Sequence, residues 1–233
     1  MCFTAKASIS SWWILAFMSL FLWYRNENYD RALSAFVFTL GLIQLIEFGI
    51  HSGANPYQSG RAIFITLWLQ CLVLAIGVFV FIRSAKDPDN PTTGENVIYT
   101  IAGWNLFLFA FVFIVILLYA FFSDAEFSGS KKSDHIEWHR NGQTLMGKWA
   151  WLYLIGLFVP LILIFAFYSW ANMGIAILIL YGVLSAIYVA ANFPPNSFTS
   201  MWCYLAVGFA FLAWLIGIIP NSQCDNNSSL ETK

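Results

Sequence analysis

The strongest constraint on this chain is a string of seven apolar runs, each close to the length that crosses a bilayer as a helix. About 20 apolar residues are enough to rise through the hydrocarbon layer. The runs cover residues 8–24, 32–51, 61–83, 96–122, 148–170, 172–192 and 198–219. Polar or turn-forming segments separate them. These are Arg25-Asn26-Glu27-Asn28, the Ser52 to Gly60 stretch, Ala85 to Gly94, Ser123 to Gly147, a tight turn at Trp170-Ala171-Asn172, and Asn192-Phe193-Pro194-Pro195-Asn196. The fold class expected is therefore all-α: a polytopic integral membrane protein, a seven-transmembrane-helix bundle with a short ordered fourth loop. The bundle takes residues 1–222, and 223–233 form a polar C-terminal tail. The stretch 148–192 is too long for one span, and Asn172 beside Gly174 is its polar break. Pro160 should kink the fifth helix.

Composition points the same way. The 233 residues are 60% hydrophobic and 10% charged, against roughly 25% charged in a soluble domain. Such a chain cannot furnish a polar shell. Its net charge of -1 and the lack of a basic stripe exclude nucleic acid as a partner. High hydrophobicity weighs against disorder. Cys2, Cys71, Cys203 and Cys224 form no CxxC pair and no disulfide framework. Trp12, Trp13, Trp23 and Tyr24 mark the ends of the first span, and Trp149, Trp151, Tyr168 and Trp170 those of the fifth. They fit aromatic belts at the membrane interfaces. Gly182, Ala186 and Ala190 give the sixth span a stripe for close packing. The first span reads as a retained anchor, because no small-x-small cleavage site precedes Arg25.

Orientation follows from the Lys/Arg bias of the loops. The N-terminal side, side A, carries Lys6, Arg61, Lys131, Lys132, Arg140 and Lys148. Side B carries Arg25, Arg31, Arg83, Lys86 and Lys233. With the long fourth loop discounted, side B leads. This favours a cytoplasmic C-terminus and an outside N-terminus, which would keep the sequons at Asn226 and Asn227 from glycosylation. In the fourth loop, His135-Ile136-Glu137-Trp138-His139-Arg140 alternates and runs into Asn141-Gly142-Gln143. That pattern predicts a short hairpin or ordered cap.

Glu47 is the most informative residue. It is the one acidic side chain well inside an expected span. An ionisable group at membrane depth costs about 2.5–3.5 kcal/mol on insertion scales and normally faces the bundle interior. Gln44 at i−3 and His51 at i+4 share its helix face. Gln70 on the third span and Asn105 on the fourth would extend a polar network. Glu47 reads either as a proton-handling or ligand-binding carboxylate or as a protonated structural glutamate that bonds helices together. Topology places Cys2, Glu47, His51, His135, His139 and Cys203 toward side A. Cys, His and carboxylate are zinc ligands, so Cys2, His51, His139 and Cys203 are a candidate metal set, with an interfacial histidine cluster as the bland alternative. Cys2, Glu47, His51 and the Trp202-Cys203 pair are expected to converge on one pocket at the side A end.

Several mechanisms are absent. Residues 198–219 hold no lysine for a retinal Schiff base, no span holds the aspartates of an intramembrane zinc hydrolase, and no P-loop, GxSxG or dinucleotide fingerprint occurs.

Three motifs in order carry a resemblance. The opening Met1-Cys2-Phe3-Thr4-Ala5-Lys6-Ala7-Ser8, then Gln44-Leu45-Ile46-Glu47, then Ser200-Met201-Trp202-Cys203 resemble a poorly characterised family of polytopic membrane proteins that begin Met-Cys-Phe-Ser-Ala-x-Ala-Ser. Thr4 in place of Ser and Phe48 in place of Gly depart from its pattern. The resemblance implies the fold and points at Cys2, Gln44, Glu47, Trp202 and Cys203, without naming a reaction. Three classes stay open: a transporter, channel or sensor for a small molecule or ion built around Glu47; a membrane-embedded metal-dependent enzyme; and a structural scaffold. The lipid bilayer is the expected partner, with a small-molecule or ion ligand and a second copy of the chain as further candidates.

Overall fold

A computed structural model describes residues 4–26, 29–85, 91–131, 136–167, 173–192 and 207–215. It is a bundle of helices. In chain order these are α1 (Ala5–Arg25), α2 (Asp30–His51), α3 (Pro56–Ala85), α4 (Thr93–Phe122), α5 (Ala150–Phe167) and α6 (Met173–Asn192). A seventh, α7, covers residues 207–215. Helices α1 to α5 are each long and apolar enough to cross a bilayer, and α6 contains the apolar stretch Ala176–Val189. The chain is an integral membrane protein of α-helical class. Residues 148–192 hold two helices, and the break between them lies outside the described residues.

Local chemistry sets the helix ends. Thr4 caps α1 by accepting from the Ala7 N–H at 3.1 Å. Asn26 closes the same helix in the left-handed region at φ 51°. Pro56 opens α3, where the Asn55 side chain accepts from the Tyr57 N–H at 2.9 Å. Thr92 and Glu95 form a reciprocal capping box on α4. Both α3 and α4 run 30 residues. At about 1.5 Å per residue they exceed the hydrocarbon layer, so their ends reach headgroup level.

The fourth loop is ordered as expected, and it is more than a hairpin. Strands β1 (Phe127–Lys131), β2 (Ile136–Arg140) and β3 (Gln143–Thr144) form one antiparallel sheet in the order β1-β2-β3. Asn141 and Gly142 both have positive φ, 50° and 71°, the signature of a type I′ turn. Asn141 also ties the turn to the start of β1. Its backbone N–H donates to the Glu126 carbonyl at 2.8 Å, and its side chain accepts from the Glu126 N–H at 2.7 Å.

The sheet rests on the start of α3. A Cβ at Gly60 would lie 2.8 Å from the Ser128 backbone nitrogen, so only glycine permits that approach. Phe127 is fully buried and packs on Phe64 of α3 and Tyr119 of α4. Helix α7 lies beside α2, where the Phe36 and Phe209 rings meet at 5.7 Å, and beside α6, where Tyr181 abuts Gly208. The aromatic residues assigned to the interfaces are exposed at Trp13, Trp23, Tyr24, Trp149 and Trp151. Gly182, the first residue of the small-residue stripe on α6, faces Phe158 of α5.

Candidate functional site

Helix α2 buries one face completely at its side A end. Gln44 and Glu47 are both 0% exposed. His51, one turn further, is half-buried at the helix end. Above them sits the sheet. Its strand β2 alternates, so Ile136 and Trp138 turn inward and are 0% exposed. The Trp138 indole N–H donates to Glu47 Oε1 at 3.5 Å. That is the outer limit of a hydrogen bond and a weak one. Gly129 of β1 packs against both the Trp138 ring and Ile50 of α2. A Cβ at Gly129 would lie 2.6 Å from Trp138 Cζ3 and 2.7 Å from Ile50 Cδ1. An extramembrane sheet thus drives an indole into the mouth of the bundle and onto its buried carboxylate.

The neighbourhood of α1 adds donors. The Ser8 hydroxyl and the Trp12 indole N–H are buried and make no hydrogen bond among the described residues. The Trp12 ring lies over Gly41 of α2, on the row that leads to Gln44. An unsatisfied buried donor costs about 1–3 kcal/mol. These atoms are disposed to bind an acceptor and do not contribute to stability as placed.

Gln70 is placed differently from the network expected around Glu47. Its Oε1 accepts from the Tyr153 hydroxyl of α5 at 2.5 Å, and its Nε2 donates to the Thr39 carbonyl at 3.4 Å. The residue joins α2, α3 and α5 at mid-membrane. Asn105 is buried on α4 and takes no part in those bonds. His139 lies on the face of β2 opposite Trp138, with its Nε2 3.5 Å from Glu137 Oε2. Cys2, His135, Trp202 and Cys203 lie outside the described residues, as do the turn at 170–172 and the tail. Among the described residues no group of three or more His, Cys, Asp or Glu is placed to hold a metal ion. The expected convergence of Glu47 with Trp202 and Cys203 therefore falls outside the described residues, while residues 207–215 of α7 do lie beside α2.

Two features escaped the sequence reading. Trp138 was inside a stretch singled out for its alternation, and the alternation itself marks it as inward-facing. The second is at side B. Arg25 and Asp30 form a two-pronged ion pair at 2.6 and 2.7 Å, and Arg25 also donates to the Trp214 carbonyl of α7 at 2.7 Å. An Arg and an Asp five apart across a tight turn were the available signal.

No protein-family model matches the chain, and no curated protein or solved structure matches it. The resemblance to the Met-Cys-Phe-Ser-Ala-x-Ala-Ser family therefore rests on its three motifs alone.

Proposed function

We propose that the chain is a transporter, channel or sensor for a small molecule or ion, with Glu47 as its binding carboxylate and Trp138 as the cover over it. The seven helices are taken as seven spans, the N-terminus outside and the C-terminus cytoplasmic. One observation carries this reading: a wholly buried acidic residue inside a span meets an indole delivered from outside the span. Glu47 accepts from the indole of a strand that comes from the fourth loop, at 3.5 Å. The arrangement corresponds to a closed state, since Glu47 has no exposed surface. The buried Trp12 donor, over Gly41 further along α2, suits a ligand that carries an acceptor as well as a proton or positive charge.

The full burial of Gln44 and Glu47 also supports the scaffold reading, and one experiment separates the two. Purified protein is reconstituted into liposomes carrying an internal pH dye, and proton entry is followed under an imposed gradient. Under the proposal the wild type conducts and Glu47→Gln falls to the level of empty liposomes while keeping its melting temperature. If the wild type is itself silent and Glu47→Gln lowers only the melting temperature, the scaffold reading replaces it. The metal-dependent alternative would draw zinc to His51, His139, Cys2 and Cys203. Elemental analysis of the same preparation, with His51→Ala beside it, tests that set.

A further inference from the structure

We infer that the side A end of the seam between α3 and α4 binds the phosphate of an anionic phospholipid headgroup, held by Arg61 and Arg140. The two arginines come from distant parts of the chain and share one geometry. The Arg61 guanidinium lies 4.9 Å from the Tyr57 ring centroid on α3 and 5.9 Å from that of Phe121 on α4. The Arg140 guanidinium lies 5.6 Å from Phe64 on α3 and 5.8 Å from Tyr119 on α4. Each cation bridges one ring from each side of the same seam. Phe127, the cross-strand partner of Arg140, packs on Phe64 and Tyr119 and so fixes the sheet, and Arg140 with it, against the seam.

Neither arginine forms an ion pair with a carboxylate among the described residues. Arg61 donates to the Tyr57 hydroxyl at 2.7 Å, and its Nε is buried without an acceptor. A guanidinium stacked on aromatic rings spends its faces and keeps its in-plane N–H edges, which match a phosphate two bonds at a time. Two cations set against one seam with no carboxylate partner among the described residues favour an anion there. The contrast with Arg25 is direct, since that residue has Asp30.

The position selects a lipid over a free anion. Both arginines sit where α3 begins and α4 ends, and these 30-residue helices reach headgroup level. Below Phe121, α4 continues with exposed Leu118, Val115, Ile114 and Phe111. Acyl chains can lie on that face, whereas inorganic phosphate gains nothing from it. Interfacial arginines that merely reach for water would show no preference among headgroups.

The test uses the full chain in detergent and counts retained lipid by native mass spectrometry. The probes are phosphatidylglycerol, phosphatidylcholine and inorganic phosphate. The wild type should retain phosphatidylglycerol over phosphatidylcholine and ignore inorganic phosphate. Arg61→Gln with Arg140→Gln should weaken phosphatidylglycerol by at least about tenfold, since the loss of even one hydrogen bond to a charged group has that effect. Arg83→Gln, exposed at the side B end of α3, should bind as the wild type does. Arg61→Lys with Arg140→Lys keeps the charge and loses the stacked fork, so it too should bind more weakly. Equal retention by the wild type and the glutamine pair overturns the inference, and inorganic phosphate binding as well as the lipid does so too. Should the glutamine pair fail to fold, wild-type retention by the lysine pair is the overturning result.

Discussion

The two ends of the bundle are closed by different physics. At side B, Arg25 grips Asp30 at 2.6 and 2.7 Å and reaches a carbonyl near the end of α7 at 2.7 Å. These are short charge-assisted bonds between groups that are nearly buried: Asp30 is 3% exposed. They join α1, α2 and α7 at one point. At side A, closure is by shape. A three-stranded sheet leans on Gly60 and inserts Trp138, whose indole N–H meets Glu47 at 3.5 Å. Charge-assisted bonds are roughly twice as strong as neutral ones, and a bond at 3.5 Å is near the limit of being one. Side B is therefore held by charge and side A by packing, and the proposed function takes the side A sheet as a cover that lifts. The buried carboxylate lies under the cover.

Breaking the clasp should produce the largest effect. Arg25→Ala leaves Asp30 buried without its countercharge and strips the Trp214 carbonyl of a donor. Removing one partner of a buried pair costs about 3–5 kcal/mol. The melting temperature in detergent should fall steeply. The double variant Arg25→Met with Asp30→Leu should recover much of the loss, because two apolar groups leave no orphan charge. If the double variant is as unstable as Arg25→Ala, the clasp acts through the shape of the turn and not through charge.

The cover should be looser and can be lifted without touching a charge. Gly129→Ala puts a methyl 2.6 Å from the Trp138 ring. Overpacking of this kind costs about 1–3 kcal/mol, less than the loss of Arg25. Its effect should be local. Hydrogen exchange should quicken at the amides of β1 and β2 and stay unchanged along α1 and the first turns of α2. Uniform quickening over all helices would mean that the sheet is an integral part of the bundle, and the contrast between the two ends would vanish.

What the sequence disclosed follows the range of the interactions involved. Helix existence depends on run length against bilayer thickness, so the apolar runs were legible, including the break within 148–192 that Asn172 and Gly174 signal. The hairpin was legible because Asn141-Gly142 demands a type I′ turn whatever surrounds it. Glu47 declared itself by its cost. Its partner did not, since Trp138 is 91 residues away and arrives only because glycines at 60 and 129 let the sheet sit close. Tyr153 found Gln70 across 83 residues in the same way. Apolar periodicity carries no information here, because these helices are apolar on the faces that meet lipid and on those that meet each other. Asp30 lies just ahead of the second apolar run, yet it opens α2 and belongs to the clasp.

The smallest effect expected is at His139, and it sharpens the comparison by asking whether the cover has chemistry of its own. Strand β2 sends Trp138 inward, so its neighbours Glu137 and His139 project from the other face. Their side chains are 17% and 21% exposed and approach to 3.5 Å. A contact at 3.5 Å is at the outer limit of a hydrogen bond and contributes no more than about 0.5–1.5 kcal/mol. His139→Ala should therefore shift the melting temperature little, and by the same amount in buffer with zinc and with a chelator. A histidine that ligated zinc would behave otherwise: the wild type would gain stability with the metal, as any ligand of the native state provides, and the variant would lose that gain. Equal melting shifts under both conditions leave the outer face of the sheet a solvated surface. The chemistry of side A would then lie with Glu47 and the indole above it.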